Sequence, residues 1–350
     1  MTMLRWLVLG AGGWGRNYVR AARAMRGVRI AGYADINPKV LKALRADGVE
    51  GALLFDDAMA ALKATEADVV SCSIPNPQRM PVLLAAIKTG AAVIVDKPLA
   101  HTPADVRKII AATAKSGARV CVAQNYRYGP GAQKARALIE AGRVGRLSSL
   151  TIAFLRDAHF VGKSFYGSLE GPKAIGLEMS IHHFDLMRWL AGREAETVAA
   201  RSWKSQWGWA GGHTMLHALL GFGGGLRATY SAGWECRTDH TSWNGRWLIG
   251  GERSDLLWDD HEDGTADVRL VRGGRRGPAV QRFSPRSKLF SMDVLVRAFG
   301  EAVKSGGSMP VPLADNVKSI GLALAAVESC RRGREIDVGR FVEKEGLSCR

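Results

Sequence analysis

Three groups of residues in this chain have types and spacings that could do chemistry. The first is Glu178 and His182, within the stretch from Gly176 to Trp189. Ile181, Phe184 and Leu186 to Trp189 form a helical apolar pattern there, and positions four apart on a helix share a face, so Glu178 is expected beside His182. A carboxylate next to an imidazole fixes its tautomer and lifts its pKa, as a general acid/base requires. Taken alone, the pair also fits the solvent face of an amphipathic helix. The second group is Gly10-Ala-Gly12-Gly13-Trp14-Gly15, between the apolar run Leu4 to Leu9 and a helical pattern from Asn17 to Met25. Strand, glycine turn and helix in that order suit a dinucleotide. Gly10 permits the tight turn, Gly12 lets backbone approach the pyrophosphate, Gly15 lets helix and strand pack closely, and the phosphates face the helix N-terminus. The third is Lys97, in Asp96-Lys97-Pro98 after the apolar run Ala91 to Val95. A lysine at the carboxyl end of a parallel strand sits where open α/β sheets bind ligands.

Positioning these residues requires two kinds of architecture. Up to Tyr128, short apolar runs alternate with helical patterns: Val28–Ala34, a helix to Ala46, Val69–Ile74, a helix to Lys88, Ala91–Val95, the helix Pro103–Ser116, then Arg119–Ala123. That alternation is a doubly wound parallel sheet. Asp35 follows the second run twenty residues after Gly15 (35 − 15 = 20), where an acid can hold the ribose hydroxyls and repel a 2′-phosphate, so NAD is expected over NADP. The alternative for Asp35 is a helix cap. From Leu147 the period changes to two, in Ser148–Leu155, Thr197–Trp203, Met215–Phe222, Leu226–Tyr230, Trp247–Gly250 and Asp255–Trp258, with Gly221 to Gly225 as a hairpin turn. Helices at Ser291–Lys304 and Ala314–Arg331 close the pattern. The fold expected is an α/β Rossmann domain over 1–125, followed over 126–350 by an α+β domain with an open, mostly antiparallel sheet.

Composition narrows the functional classes. The chain has 350 residues, 47% hydrophobic and 23% charged. No apolar run approaches the ~20 residues of a membrane span, and the apolar start runs into the glycine turn without a signal-peptide cleavage pattern. Five cysteines, Cys72, Cys121, Cys236, Cys330 and Cys349, lie far apart without metal-like spacing, which points to free thiols in the cytoplasm and no metal. The net charge of +16 raises nucleic acid, a membrane surface or an acidic substrate as partners. The basic residues are spread, however, and the densest cluster, Arg272 to Arg276, has glycines within it, so no nucleic-acid function is expected.

These residues together resemble the Gfo/Idh/MocA oxidoreductases over nearly the whole chain. Asp96-Lys97-Pro98 is similar to the family's Glu-Lys-Pro, whose lysine is catalytic, and Glu178 and His182 fall on its Asp-x-x-x-His pair. Glu replaces the usual Asp, Ser180 replaces a glycine, and Arg79 replaces a common histidine. The resemblance implies cofactor contacts from Gly10, Gly12, Gly13, Trp14, Gly15, Asp35, Ile36, Ser73, Pro75, Asn76, Lys97 and Gln124. It implies substrate contacts from Lys97, Arg127, Arg156, His159, Glu178, His182 and His240 of the Asp239-His240 loop, with Trp207, Trp234 and Trp243 as candidate sugar-stacking faces. The activity implied is NAD-dependent oxidation of a secondary hydroxyl on a sugar, sugar derivative or cyclitol, with His182 as base, Lys97 stabilising the oxygen and Glu178 orienting. Relatives that hydrolyse glycosides with NAD, or that sense sugars without catalysis, are the alternatives. A homodimer or homotetramer through the second domain's sheet is also implied.

Overall fold

The computed structural model describes residues 3–76, 78–159, 169–237, 240–274 and 277–349; Pro77, Asp239, Arg275 and Arg276, all within stretches considered above, lie outside them. The chain divides into two compact units. The first holds the residues up to Asn125, Met292–Val317 and the last residues from Ser348. Its sheet has the strands β1 (Leu4–Leu9), β2 (Val28–Ala34), β3 (Leu54–Phe55), β4 (Val69–Cys72), β5 (Ala92–Val95) and β6 (Val120–Val122), in the order β3-β2-β1-β4-β5-β6. Every pairing is parallel. Helices α1 (Arg16–Arg23), α2 (Pro38–Ala46), α3 (Ala58–Ala64), α4 (Arg79–Lys88) and α5 (Pro103–Ser116) make the crossovers. All residues of β4 and β5 are buried, which explains why both are apolar but for Ser71. The boundaries of α5 follow from its caps. The Thr102 side chain accepts from the Asp105 N–H at 3.2 Å, Pro103 starts the first turn, and Gly117 ends the helix at φ 68°. The strand order reverses between β1 and β4, the place where such sheets open a crevice at their carboxyl ends.

The expectation that everything after residue 125 belongs to the second domain fails for 292–317. Helix Ser291–Ser305 buries Leu295, Val296 and Phe299, and Phe299 meets Trp6 of β1 edge-on with ring centres 5.7 Å apart. Arg20 on α1 pairs with Asp293 at 2.9 Å, and Val122 of β6 donates to the Val311 carbonyl at 3.0 Å. An amphipathic helix remote in sequence thus supplies apolar cover for β1.

The second unit, Tyr126–Ser291 and Lys318–Leu347, is built on a nine-stranded sheet. Its strands are β7 (Leu147–Leu155), β8 (Ala195–Trp203), β9 (Met215–Phe222), β10 (Arg227–Gly233), β11 (Arg246–Gly251), β12 (Asp255–Asp260), β13 (Ala266–Arg272), β14 (Ala279–Phe283) and β15 (Ile336–Asp337), in the order β14-β13-β12-β11-β7-β10-β9-β8-β15. Only β7 and β10 pair in parallel; the other neighbours are antiparallel. Gly224 and Gly225, at φ 71° and 82°, make the β9–β10 hairpin. Along β9, Leu216, Ala218 and Leu220 are buried while His217 and Leu219 face outward. Helices α6 (Pro130–Glu140) and α7 (Ile181–Ala191) belong to this unit. Gly131 lets α6 lie close on β12, since a Cβ there would stand 2.0 Å from Trp258 Nε1. On the outward face, strand register aligns Ala199, Leu219, Thr229, Thr151, Leu248 and Leu257 in one row, with Leu219 49% and Leu248 42% exposed. Among the described residues no helix is long and apolar enough to cross a membrane.

Candidate active site

In the first unit, the glycine turn is fixed by steric fit. Gly10 has φ 80°, and a Cβ on it would meet the Ser73 carbonyl oxygen at 2.6 Å. One on Gly15 would stand 1.7 Å from the Gly10 oxygen, and one on Gly12 would run into Val40 and the Asp35 carboxylate at 2.8 and 3.2 Å. Gly13 and Trp14 are exposed, in the short 3₁₀ turn that leads into α1. Asp35 is not the cap of α2; that is Asn37, which accepts from the Lys39 N–H at 3.0 Å. Instead the Asp35 carboxylate accepts the N–H of Gly12 at 2.8 Å and of Asn37 at 2.9 Å, tying the β2 end to the glycine turn. Ile36 beside it is 86% exposed. Open Gly13 backbone, a helix N-terminus and a locked acid fit a dinucleotide. Gln124 is fully buried, and neither amide atom has a partner among the described residues, which marks a buried polar group awaiting one.

Ser73, Pro75 and Asn76 lie at the end of β4, and Lys97 lies in the turn after β5, where the Lys97–Pro98 peptide is cis. Ser73 Oγ and Tyr18 Oη donate to the two oxygens of the buried Asp96 carboxyl at 2.5 and 2.6 Å. Burial pushes that carboxyl above its ordinary range, against the opposing pull of the nearby Arg79 charge. Asn76 Nδ2 donates to the Pro98 carbonyl at 3.2 Å.

In the second unit, a short turn at Lys173–Ile175 leads into π-helix over Gly176–Ser180, and α7 follows directly. The expectation of a regular α-helical face for Glu178 and His182 is therefore corrected. Glu178 is carried on the wider π turn and His182 on the first turn of α7, both buried, at 9% and 4% exposure. Such π turns recur at functional sites because they rotate a side chain out of the helical register. His182 stacks flat on Tyr126, with centroids 3.9 Å apart and planes 6° from parallel.

Arg127, expected at the substrate, is paired with Asp185. Its Nε and Nη2 each donate at 2.6 Å to the two oxygens of Asp185, both residues are buried, and Ser319 Oγ donates to the same carboxylate at 2.6 Å. This fork ties the Tyr126 turn to the helix that bears His182. His183 also has a structural role. Its Nε2 donates to the Trp243 carbonyl at 3.0 Å, so Nδ1 is the acceptor and receives the Tyr230 hydroxyl at 2.7 Å, while Ser180 supplies a hydrogen to Tyr230 at 3.1 Å. Burial pushes the His183 imidazole down to about 4.

Arg156 is likewise engaged, with the Thr241 carbonyl at 2.8 Å and Glu262 at 2.6 Å, its guanidinium 4.6 Å from the centre of the Trp243 ring. His159 and His240 are brought together by Asp157, a residue the sequence reading missed. His159 Nδ1 bonds the Asp157 carboxylate, whose pKa this contact lowers, and the Asp157 N–H donates to His240 Nε2 at 3.2 Å. Asp157 carried no motif signal, because its role depends on two loops meeting. Trp234 is fully buried core, whereas Trp207 is 63% exposed. No group of three or more metal-ligating side chains forms among the described residues.

Comparison with known proteins agrees with this architecture. The model described as "oxidoreductase family, NAD-binding Rossmann fold" matches residues 4–124, and that of the "GFO/IDH/MocA C-terminal domain" matches residues 132–256. The chain belongs to the Gfo/Idh/MocA oxidoreductase family. It is 26% identical to a D-apiose dehydrogenase of Paraburkholderia graminis, over 95% of this chain and 88% of that one. It is 24% identical to an inositol 2-dehydrogenase of Rhizobium meliloti, over 96% and 99%. An oxidoreductase from Agrobacterium radiobacter, solved with NAD+, L-tartaric acid and magnesium, superposes with a TM-score of 0.84 over 97% of this chain and 100% of that one, at 23% identity.

Proposed function

We propose that this protein is an NAD-dependent dehydrogenase acting on a secondary hydroxyl of a sugar, sugar derivative or cyclitol. The observation that carries the reading is the Lys97 turn, held at the carboxyl end of β5 in a sheet whose glycine turn is sterically closed to side chains. The named dehydrogenase relatives support the substrate class. When bound, the dinucleotide supplies acceptance of a hydride at its nicotinamide ring. Gly10, Gly12, Gly13, Trp14, Gly15, Asp35, Ile36, Ser73, Pro75 and Asn76 hold it, with Gln124 offering its buried amide. Lys97 donates to the carbinol oxygen as negative charge develops there, and His182 takes the hydroxyl proton. Glu178 orients His182 or a neighbouring hydroxyl. His159 and His240 remain candidates for substrate contact; Arg127 and Arg156 support the walls.

A reduction screen with NAD and NADP over inositols, aldoses, anhydrosugars and uronic acids tests this. NAD is expected to be favoured at least tenfold in kcat/KM, about 1.4 kcal/mol, an advantage that Asp35→Ser erodes. On the best substrate, Lys97→Ala and His182→Asn are expected to cost about 10²–10⁴ in kcat, with NAD affinity by fluorescence nearly intact. Wild-type turnover in both variants would sink the mechanism.

The uncovered face of the second sheet, with Leu219, Leu248 and Trp203 exposed, supports packing against a second copy as a homodimer or homotetramer. Light scattering at micromolar concentration checks this, and a monomer there refutes it. The five free cysteines suit a cytoplasmic location.

A further inference from the structure

Arg79 is the first residue of α4, a place where the helix dipole disfavours a cation, and it is 4% exposed. A charge set there against both desolvation and dipole needs strong compensation. Three carbonyl oxygens provide it. Arg79 Nε donates to Ile74 at 2.6 Å, and Nη1 donates to both Asp96 at 2.7 Å and Pro98 at 2.6 Å. Asp96 and Pro98 are the two neighbours of Lys97, so one nitrogen grips the backbone on either side of it. Ile74 lies after β4, and the same guanidinium therefore fastens the ends of two adjacent strands. The Asp96 carboxyl, held from its other side by Tyr18 and Ser73, supplies the opposing charge.

We propose that Arg79 is the positioning residue for Lys97, its planar fork holding the Asp96–Pro98 turn so that the lysine is aimed before substrate arrives. The proposal rests on the reading of Lys97 as the donor to the reacting oxygen. A lysine cannot replace the fork, because an ammonium offers no planar pair of donors. Misplacing a catalytic group by about 1 Å costs on the order of a hundredfold in rate, so the clamp is expected to show in kcat rather than in cofactor affinity.

The test is a double-mutant cycle. Arg79→Gln and Arg79→Lys are made in the wild-type and Lys97→Ala backgrounds, and kcat and KM are measured with NAD and the best screened polyol. In the wild-type background, kcat is expected to fall about ten- to a hundredfold with KM for NAD little changed. In the Lys97→Ala background the same substitutions are expected to cost almost nothing further. Should Arg79→Gln fail to fold, Arg79→Lys, which keeps the charge beside Asp96, carries the same comparison. Equal losses in both backgrounds, or full kcat in the Arg79 variants, overturn the proposal alone. Wild-type turnover by Lys97→Ala overturns the lysine's role and the proposal with it.

Discussion

The two units hold their candidate reactive side chains by different means. In the first, the backbone on either side of Lys97 is held from close by in sequence: Arg79 reaches Asp96 and Pro98 across 17 and 19 positions, and Ser73 reaches the Asp96 carboxyl across 23, to which Tyr18 adds a bond across 78. In the second, His182 depends on Arg127 reaching Asp185 across 58 positions and on Ser319 reaching the same carboxylate across 134. A parallel sheet returns each strand end to the same edge, so consecutive loops meet and neighbouring segments can hold one another's backbone. A mixed sheet with helices between its strands has no such repetition and uses buried ion pairs to join distant segments. The lesson is energetic. Arg79 directs its guanidinium at three carbonyls, whereas Arg127 directs its fork at the Asp185 carboxylate, and removing one member of a buried pair is costly.

The largest effect that sharpens this contrast is expected at Asp185. Asp185→Ala should destabilise the protein by about 3–5 kcal/mol, the cost of breaking a buried pair from one side. It should also release the Tyr126 turn from α7. Asp185→Asn should be milder, since an amide oxygen still accepts from the guanidinium. Urea unfolding of the two variants measures the difference, with Glu252→Ala, at the exposed Arg146 pair, as a control that leaves the midpoint unchanged. If Asp185→Ala unfolds at the wild-type midpoint, the ion pair is not what joins these segments.

The same contrast explains what could be read before the structure. The bounds of β2 and α5 were legible because β2 is apolar but for Arg29 and because Thr102, Pro103 and Gly117 punctuate the helix. The glycine turn was legible because backbone geometry dictates residue type there. The π turn was not, since five residues of Gly-Leu-Glu-Met-Ser carry no pattern distinct from α-helix. The pairing of Arg127 with Asp185 was hidden by the 58 positions separating them. Strands β13 and β14 escaped notice beside a glycine- and arginine-rich stretch. The return of 292–317 to the first unit left no trace in local periodicity, because an amphipathic helix does not reveal which sheet it covers.

A smaller effect tests whether polar contacts in the second unit are structural rather than catalytic. His183 sits next to His182 in sequence, yet its ring is fully buried between Tyr230 and the Trp243 carbonyl. Desolvation holds its pKa near 4, against 6.5 for an ordinary histidine, so the folded protein keeps it neutral. An unfolded chain takes up that proton as pH falls through about 6.5, while the folded chain resists until about 4. Above 6.5 neither state is protonated and His183 has no effect on the pH dependence of stability. Between 6.5 and 4 the unfolded state binds more protons, and stability is lost as pH falls. Linkage puts the loss at about 2 kcal/mol by pH 5. Unfolding measured at pH 7.5 and pH 5.0 in wild type and in His183→Gln isolates it. The wild-type protein should lose about 2 kcal/mol more between those pH values than the variant does. Equal losses would mean that His183 ionises in the folded state, and the assignment of Nδ1 as acceptor from Tyr230 would fail with it.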